Sequence, residues 1–290
     1  MITINPKVTP VSQLHGYLQS TISPRPIAFA STIDKEGNVN LSPFSFFNLF
    51  STNPPILIFS PSRRVRDNTT KHTLQNILEV PEVVINIVSY DMVRQASLAS
   101  VEFPKGVNEF IKSGFTQIKS HQVRPPRVGE SPASFECKVN QVIPMGTEGG
   151  AGNLIICEIL LVHIKEEVFD SAGKIDPNKI DAVARMGGDY YCRARGGSIF
   201  TVTKPSDKQC IGYDQIPEWI RNSRILSGND LGRLGNVERL PALGEIMKMK
   251  ESREIKNALL GDEEGIHLLA KKYLADDKVE EAWLVLLSLK

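Results

Sequence analysis

Small, apolar and β-branched residues fill Ile27 to Ile33, and an extended pattern resumes from Val39 to Phe44. Asp34, Lys35, Glu36, Gly37 and Asn38 lie between them, so the spacing predicts a β-hairpin whose polar loop puts Gly37 or Asn38 at positive φ. Pro43 to Asn48 then crowds three aromatic rings and several polar groups together with neither a period of 2 nor one of 3.6, which reads as a loop lining a site, Asn48 reading equally as a turn residue. Pro54-Pro55 closes that loop, because proline fixes φ and biases its predecessor to extended backbone, and Ile56 to Ser60 reads as a strand.

Leu74, Ile77 and Leu78 follow helical spacing, with Asp67, Asn68, Thr69 and Thr70 all competent caps before them, so a short helix is expected from Thr69 or Thr70. Val83 to Val88 is a short buried strand, and Asp91–Ser100 and Asn108–Ser113 read as short helices, the second closed by Gly114. Ser134 to Ile143 alternates imperfectly, and Leu154 to Val168 becomes charged toward its end. With the turn-rich Gly146–Asn153 between them, the two are expected to pair. Residues 1–22 read as a polar lead-in, a short strand or a surface arm.

Six or seven strands before residue 205, many joined by short loops, predict a mainly β protein decorated with short helices, its antiparallel sheet closed into a barrel. Composition changes after Thr203-Lys204-Pro205-Ser206-Asp207. Pro217–Asn222, Leu243–Leu260, Asp262–Leu274 and Asp277–Leu289 read as helices, the last two capped by Asp262 and Asp277, with Tyr273 and Trp283 in the core. The expected domains are therefore 1–205 and a C-terminal helical extension, 206–290.

With 41% hydrophobic residues in 290, the chain can bury a sizeable core, and a net charge of +1 gives no reason to expect a nucleic-acid or anionic-membrane partner. The start, MITINPKVTPVSQL, lacks the features of a signal peptide and no window approaches a membrane span, so the expected compartment is the cytoplasm. Cys137, Cys157, Cys192 and Cys210 have no CxxC spacing and read as small buried hydrophobes. His15, His72, His121, His163 and His267 have no ligand spacing, His163 reading as structural.

One cluster changes the picture. Arg63, Arg64, Arg66 and Lys71 gather at the expected helix start, where free N–H donors, guanidinium groups and hydroxyls can cradle a phosphate. A solvated basic face with an ordinary cap is the other reading. Neither a P-loop nor a dinucleotide fingerprint is present.

Taken in order, SPRPIA (Ser23–Ala28), GNVNLSPFSFFN (Gly37–Asn48), TKHTLQNI (Thr70–Ile77), VVINIV (Val83–Val88), NEF (Asn108–Phe110), PPRVGESP then FEC (Pro125–Cys137) and ARMGGDYY (Ala184–Tyr191) resemble the flavin reductase-like, FMN-binding split-barrel family. This family includes the flavin reductase components of two-component monooxygenases. The resemblance implies a six-stranded Greek-key split barrel that forms a homodimer with FMN near the subunit interface. It sets Arg25, Pro26 and Ile27 beside the flavin, Asn40, Ser42, Phe44, Ser45 and Phe46 along its ring and ribityl chain, and Ser60, Arg63, Lys71, Thr73 and Asn76 at its phosphate. Arg185 to Tyr191 would approach later in the fold, from the same subunit or from its partner. Members often carry an acidic residue between the Lys and Thr of the phosphate-side motif, where this chain has His72.

The implied activity is hydride transfer from NADH or NADPH to FMN, the reduced flavin serving a partner or acceptor, and no protein acid, base or nucleophile is required for it. The alternatives are an FMN-binding electron-transfer or storage protein and an interaction scaffold with a degenerate site. Plain core packing is the other reading of Phe44, Phe46 and Phe47.

Overall fold

The structure, a computed structural model, describes residues 1–205, 209–259 and 262–289. The chain divides into two compact units, Met1–Phe200 and Thr201–Lys290.

The first unit runs α1 (Val11–Thr21), β1 (Ala28–Ile33), β2 (Val39–Phe44), β3 (Phe47–Thr52), β4 (Pro55–Phe59), α2 (His72–Glu79), β5 (Glu82–Ile87), α3 (Val93–Leu98) and α4 (Glu109–Ser113). It continues with β6 (Gln117–Ile118), β7 (Arg127–Val128), β8 (Ala133–Pro144), β9 (Asn153–Ile164), α5 (Pro177–Ile180), β10 (Val183–Gly187) and β11 (Tyr190–Arg193). Seven strands form one antiparallel sheet in the order β2-β1-β5-β8-β9-β4-β3, while β6–β7 and β10–β11 are separate pairs.

The expected closed barrel is not formed: the sheet is open, with β2 and β3 as its two edges. It is strongly curled nonetheless. Five strand spacings of about 4.8 Å would put β2 roughly 24 Å from β4 in a flat sheet, yet the rings of Phe44 and Phe59 lie 5.6 Å apart. Inside the curl Ala28, Ala30, Phe44, Phe59, Val83, Ile85, Cys137 and Cys157 form one core. The alternate residues of β1, starting from Ile27 and Phe29, face a second core under α3 and α4 with Leu41, Met92 and Phe110. Period 2 along one strand thus feeds two cores, which is why β1 reads as an unbroken apolar run rather than an alternating one.

The edge at β2 is managed by α4. The Leu41 amide donates to the Glu109 carboxylate at 3.0 Å, and that carboxyl, buried, is held above its ordinary pKa by desolvation. Asn108, expected inside the helix, instead caps α4, and Gly114 ends it at φ +72° as expected.

Several local expectations are corrected. Residues 11–21 are a helix, not a strand or arm; it buries no residue, so it carries no core-facing stripe for the sequence to display. Pro43–Asn48 is mostly strand, with Phe47 and Asn48 already pairing with β4 and only Ser45 and Phe46 between strands. One expectation holds: of Gly37 and Asn38, Gly37 takes the positive-φ position of the first hairpin, at φ +94°. Leu154–Val168 ends as a strand at Ile164, with a 3-10 turn at Glu166–Val168. Cys137 and Cys157 are buried, but Cys192 and Cys210 are only half-buried.

The second unit contains α6 (Glu218–Arg221), α7 (Gly228–Gly235), α8 (Leu243–Lys250), α9 (Arg253–Leu259), α10 (Asp262–Ala275) and α11 (Val279–Leu287). They enclose a core of Ile220, Leu234, Ile255, Ile266, Leu274 and Trp283, among others. Helix α7 was not anticipated: Gly228, Gly232 and Gly235 masked it, although a Ser227–Asp230 capping box starts it. The run Leu243–Leu260 breaks into α8 and α9 around Glu251, and Leu260 lies outside the described residues, as do Ser206, Asp207 and the Asp262 side chain. Asp277 does not cap α11; it sits at φ +59°, and Lys278 takes the cap position without a side-chain bond. Among the described residues no helix is long and apolar enough to cross a membrane.

Within this unit Ser223 Oγ accepts from the Ile225 and Leu226 amides at 3.1 Å each, so its own proton points at His267 Nδ1, 2.8 Å away. His267 is buried, stacked on Trp219 at 5.6 Å, and its Nε2 has no hydrogen-bond partner. Burial holds its pKa below the ordinary value, against a partial opposing pull from Glu263. The unfolded chain therefore takes up a proton near pH 6.5 before the folded unit does, and stability must fall as pH drops through that value. Both tryptophans of the chain, Trp219 and Trp283, lie in this unit. Tryptophan-detected urea unfolding should show a midpoint that declines from pH 7.5 to pH 5, and His267→Gln should flatten that dependence. A wild-type midpoint constant over this range would contradict the assignment.

Candidate functional site

Two sets of predicted residues are brought together in the first unit. The first lies where the loop after β4 meets the start of α2. Lys71 stands just before α2 with extended backbone, and Asn40 on β2 donates through Nδ2 to Thr73 Oγ1 at 2.9 Å. Asn76, one turn on, donates to Thr32 Oγ1 on β1 at 3.2 Å. These buried bonds fix the face of α2 against β1 and β2. Asn40, Ser42, Arg64, Lys71, His72, Thr73, Glu102 and Phe103 all border one cleft.

The helix begins later than expected because its candidate caps are engaged elsewhere. Asp67 Oδ1 accepts from the Thr69 amide at 3.1 Å and its hydroxyl at 2.6 Å, closing an Asx turn. Asn68 adopts φ +55°, and its Oδ1 accepts from Arg63 Nε at 2.6 Å. Thr70 Oγ1 accepts from Gln75 at 3.1 Å. What looked like a choice of caps is a self-bonded loop that orients arginines.

The glycines of 146–152 are explained by this loop. Arg63 N donates to Ala151 O at 2.8 Å, and Gly150 N donates to Arg63 O at 3.0 Å. A Cβ on Gly149 would stand 3.0 Å from the carbonyls of Arg64 and Val65, and one on Gly152 would stand 2.6 Å from Ser60 Oγ. Ser60, buried, and Arg63 are thereby pinned to the β8–β9 turn.

Sequence reasoning placed Arg64 in the basic run but missed Glu102 altogether. This carboxylate lies on the segment after α3 and gathers three cations: Arg64 Nε at 2.6 Å, Lys71 Nζ at 3.2 Å, and Arg66. The Arg64 bond above all, then Lys71, brings its pKa down to about 2. Burial first, then the charges of Arg64, Lys105 and Lys71, lower the pKa of His72. A carboxylate therefore does reach the basic cluster, from Glu102 rather than from position 72. No local signal marks Glu102, since its role comes from a contact made across the fold.

The second set surrounds Arg25. This residue is buried, and its Nη1 donates to the carbonyls of Gln19 and of Ile22, the latter at 2.6 Å, at the end of α1. Its Nε faces Ser45 Oγ at 3.4 Å, and its guanidinium lies 6.0 Å from the Phe46 ring. Arg25 and Arg185 exchange backbone hydrogen bonds of 3.0 and 2.9 Å. Pro26 is exposed between these sets, whereas Ile27 and Phe44 pack into the two cores. Phe44 thus satisfies the core-packing reading, while Phe46 is exposed beside Arg25. His163 holds a structural contact, its Nε2 2.7 Å from the buried Glu136 carboxylate.

The curled antiparallel sheet is a fold shared with solved structures. The fold matches a putative flavin reductase with split barrel domain from Shewanella frigidimarina, with a TM-score of 0.59 and 24% identity over 70% of this chain and 100% of that one. Component B of nitrilotriacetate monooxygenase from Bacillus cereus is 28% identical, with a TM-score of 0.65 over 70% of this chain and 98% of that one. An uncharacterized protein of Aquifex aeolicus is 37% identical over 190 residues, covering 66% of this chain and 94% of its own length. Residues 20–177 match the family described as "Flavin reductase like domain", and the chain belongs to that family. The match lies wholly within the first unit.

Thr73 is completely buried, and its hydroxyl is the partner of Asn40 Nδ2. Thr73→Val keeps the volume but strands that amide donor, and should destabilise the first unit by about 1–3 kcal/mol. Denaturant unfolding followed by far-UV circular dichroism checks this, and a loss under 0.5 kcal/mol would show the bond to be dispensable.

Proposed function

We propose that the first unit binds FMN and acts as an NAD(P)H-dependent flavin reductase. The observation that carries this reading is the basic cleft of Arg64 and Lys71 beside Asn40, Ser42 and Thr73, in a chain of the flavin reductase-like family. Its donor set suits FMN. A phosphate needs charge-assisted donors, and Arg63, Arg64 and Lys71 supply them; a ribityl chain needs hydroxyl and amide partners, and Ser42 and Asn40 supply those. Arg25, Pro26, Ser45 and Phe46 stand at the ring end of this arrangement. Ser60, Asn76, Ile27 and Phe44 support it from the loop and the two cores.

When bound, FMN supplies the redox chemistry, accepting a hydride from NADH or NADPH and passing the electrons to a partner or acceptor. The chain's own contribution is to hold and orient. The bonds Asn40–Thr73 and Asn76–Thr32 keep α2 fixed, so the cationic side chains converge without reorganising. Orientation of two reactants of this kind is worth up to about 7–11 kcal/mol.

A homodimer belongs to the same reading. Its support is the open edge strand β3, where Leu49 and Phe50 are 52% and 63% exposed. That a relative of similar fold is component B of a monooxygenase makes a monooxygenase component a reasonable partner.

The test is to load the protein with FMN, remove the excess, and follow the flavin's visible absorption anaerobically as NADH and then NADPH are added. Bleaching faster than for free FMN supports the reductase; a retained flavin bleached by neither donor identifies an electron-transfer or storage protein. Lys71→Ala should weaken FMN binding by about 1.5–3 kcal/mol, the range for a lost charged hydrogen bond, and an unchanged Kd removes Lys71 from the site. Glu102→Gln should tighten FMN binding, because it frees Arg64 and Lys71 from a competing carboxylate. Weaker binding in that variant would show that Glu102 instead props the cleft.

A further inference from the structure

Arg25 is 7% exposed, and its Nη2 has no hydrogen-bond partner among the described residues. Its other nitrogens are engaged: Nη1 by two carbonyls, Nε toward Ser45. A buried guanidinium N–H left unbonded is costly, and sites of this kind ordinarily face a ligand or a water.

Arg185 stands directly opposite. Because the two residues exchange both backbone bonds, their Cα atoms lie about 5.5 Å apart and their side chains leave the same face. Arg185 donates from Nη2 to Gly188 O at 2.6 Å and stacks 4.6 Å from the Tyr191 ring. No carboxylate pairs with either arginine among the described residues. Burial first, and then the charge of Arg185, lower the Arg25 pKa.

The placement is built in. Gly187, at φ +94°, brings the β10–β11 hairpin so close to α1 that a Cβ there would meet Ser20 Oγ at 2.6 Å and Ser20 backbone at 3.1 Å. The hairpin therefore holds Arg185 against the segment that holds Arg25.

We infer that Arg25 and Arg185 form a second anion subsite, separate from the Lys71 cleft, that grips the diphosphate of the nicotinamide dinucleotide donor. The inference rests on the reductase reading above. Two observations favour a dinucleotide over a lone anion. Two unneutralised guanidinium groups match two phosphoryl charges. The half-exposed rings of Phe46 and Tyr191 flank them and offer faces on which a base can stack.

The test is calorimetric titration of FMN-loaded protein with ADP-ribose, which carries the diphosphate but no nicotinamide and so reads binding without turnover. Wild type should bind it. Arg185→Gln should lose at least tenfold in affinity while its FMN Kd stays within twofold, and Arg185→Lys should recover part of the loss. Equal affinity of wild type and Arg185→Gln overturns the subsite, as does absence of ADP-ribose binding to wild type. Inorganic phosphate titrated at the same ionic strength must bind more weakly than ADP-ribose; equal binding overturns the dinucleotide assignment. If FMN itself is not retained, two readings remain, a weakly held flavin substrate and a dead site. The same ADP-ribose titration on flavin-free wild type, Arg185→Gln and Lys71→Gln then decides the subsite alone, Arg185 dependence sustaining it and Lys71 dependence overturning it.

Discussion

The architecture of the first unit depends on the long antiparallel pair β8–β9 at the middle of its sheet. Each strand has twelve residues, and the register slips twice, between Glu136 and Cys137 and between Val139 and Gln141. Each slip inserts one extra residue, Leu160 in one strand and Asn140 in the other, and such bulges bend and twist a ladder. Bending here, with β5 attached on one side and β4 on the other, swings the two outer pairs toward each other until Phe44 meets Phe59. The cleft follows from that curl. It unites Asn40 and Ser42 of one sheet half with a loop that leaves the other half at Ser60.

Charge imposes the next constraint. Arg64, Arg66 and Lys71 approach one another closely enough to repel, and Glu102 offsets this by lying against all three. In water such exposed pairs contribute little, but a network around a single carboxylate fixes geometry even where its net energy is small. Among the described residues Arg25 and Arg185 have no such counter-ion, so two cationic clusters in one unit are handled in different ways. One is partly offset by a carboxylate and ordered; the other is left open.

What could be read from the sequence was governed by range. The first hairpin, β4, β5 and the β8–β9 pair were legible because apolar patterning and turn residues act locally. The β3 strand was hidden: Phe47, Asn48, Leu49 and Phe50 do not alternate, because the strand is an edge with little burial on either side. Helix α1 was hidden for the same reason, having no buried face. At α2 four good capping residues misled, since capping propensity says nothing about competing partners, and Arg63, Arg64, Thr69 and Gln75 took those groups first. Barrel closure was overcalled because counting strands cannot show whether the last one meets the first. Of the candidate site, the residue types of the cleft were legible as a pattern. The grouping of Lys71 with Glu102, and of Arg25 with Arg185, required the fold, because each joins segments far apart in the chain.

The burial of Cys137 and Cys157 has a practical consequence. They face the interior of the curl, and burial pushes both thiols far above their ordinary pKa. Only a thiolate is an effective nucleophile, so maleimides and other alkylating labels are turned away from the core at neutral pH. The half-buried Cys192 and Cys210 are left to react, one in each unit. The native chain thus comes with two attachment points for a fluorophore or spin-label pair, and a spectroscopic ruler can be strung from one unit to the other without changing a residue.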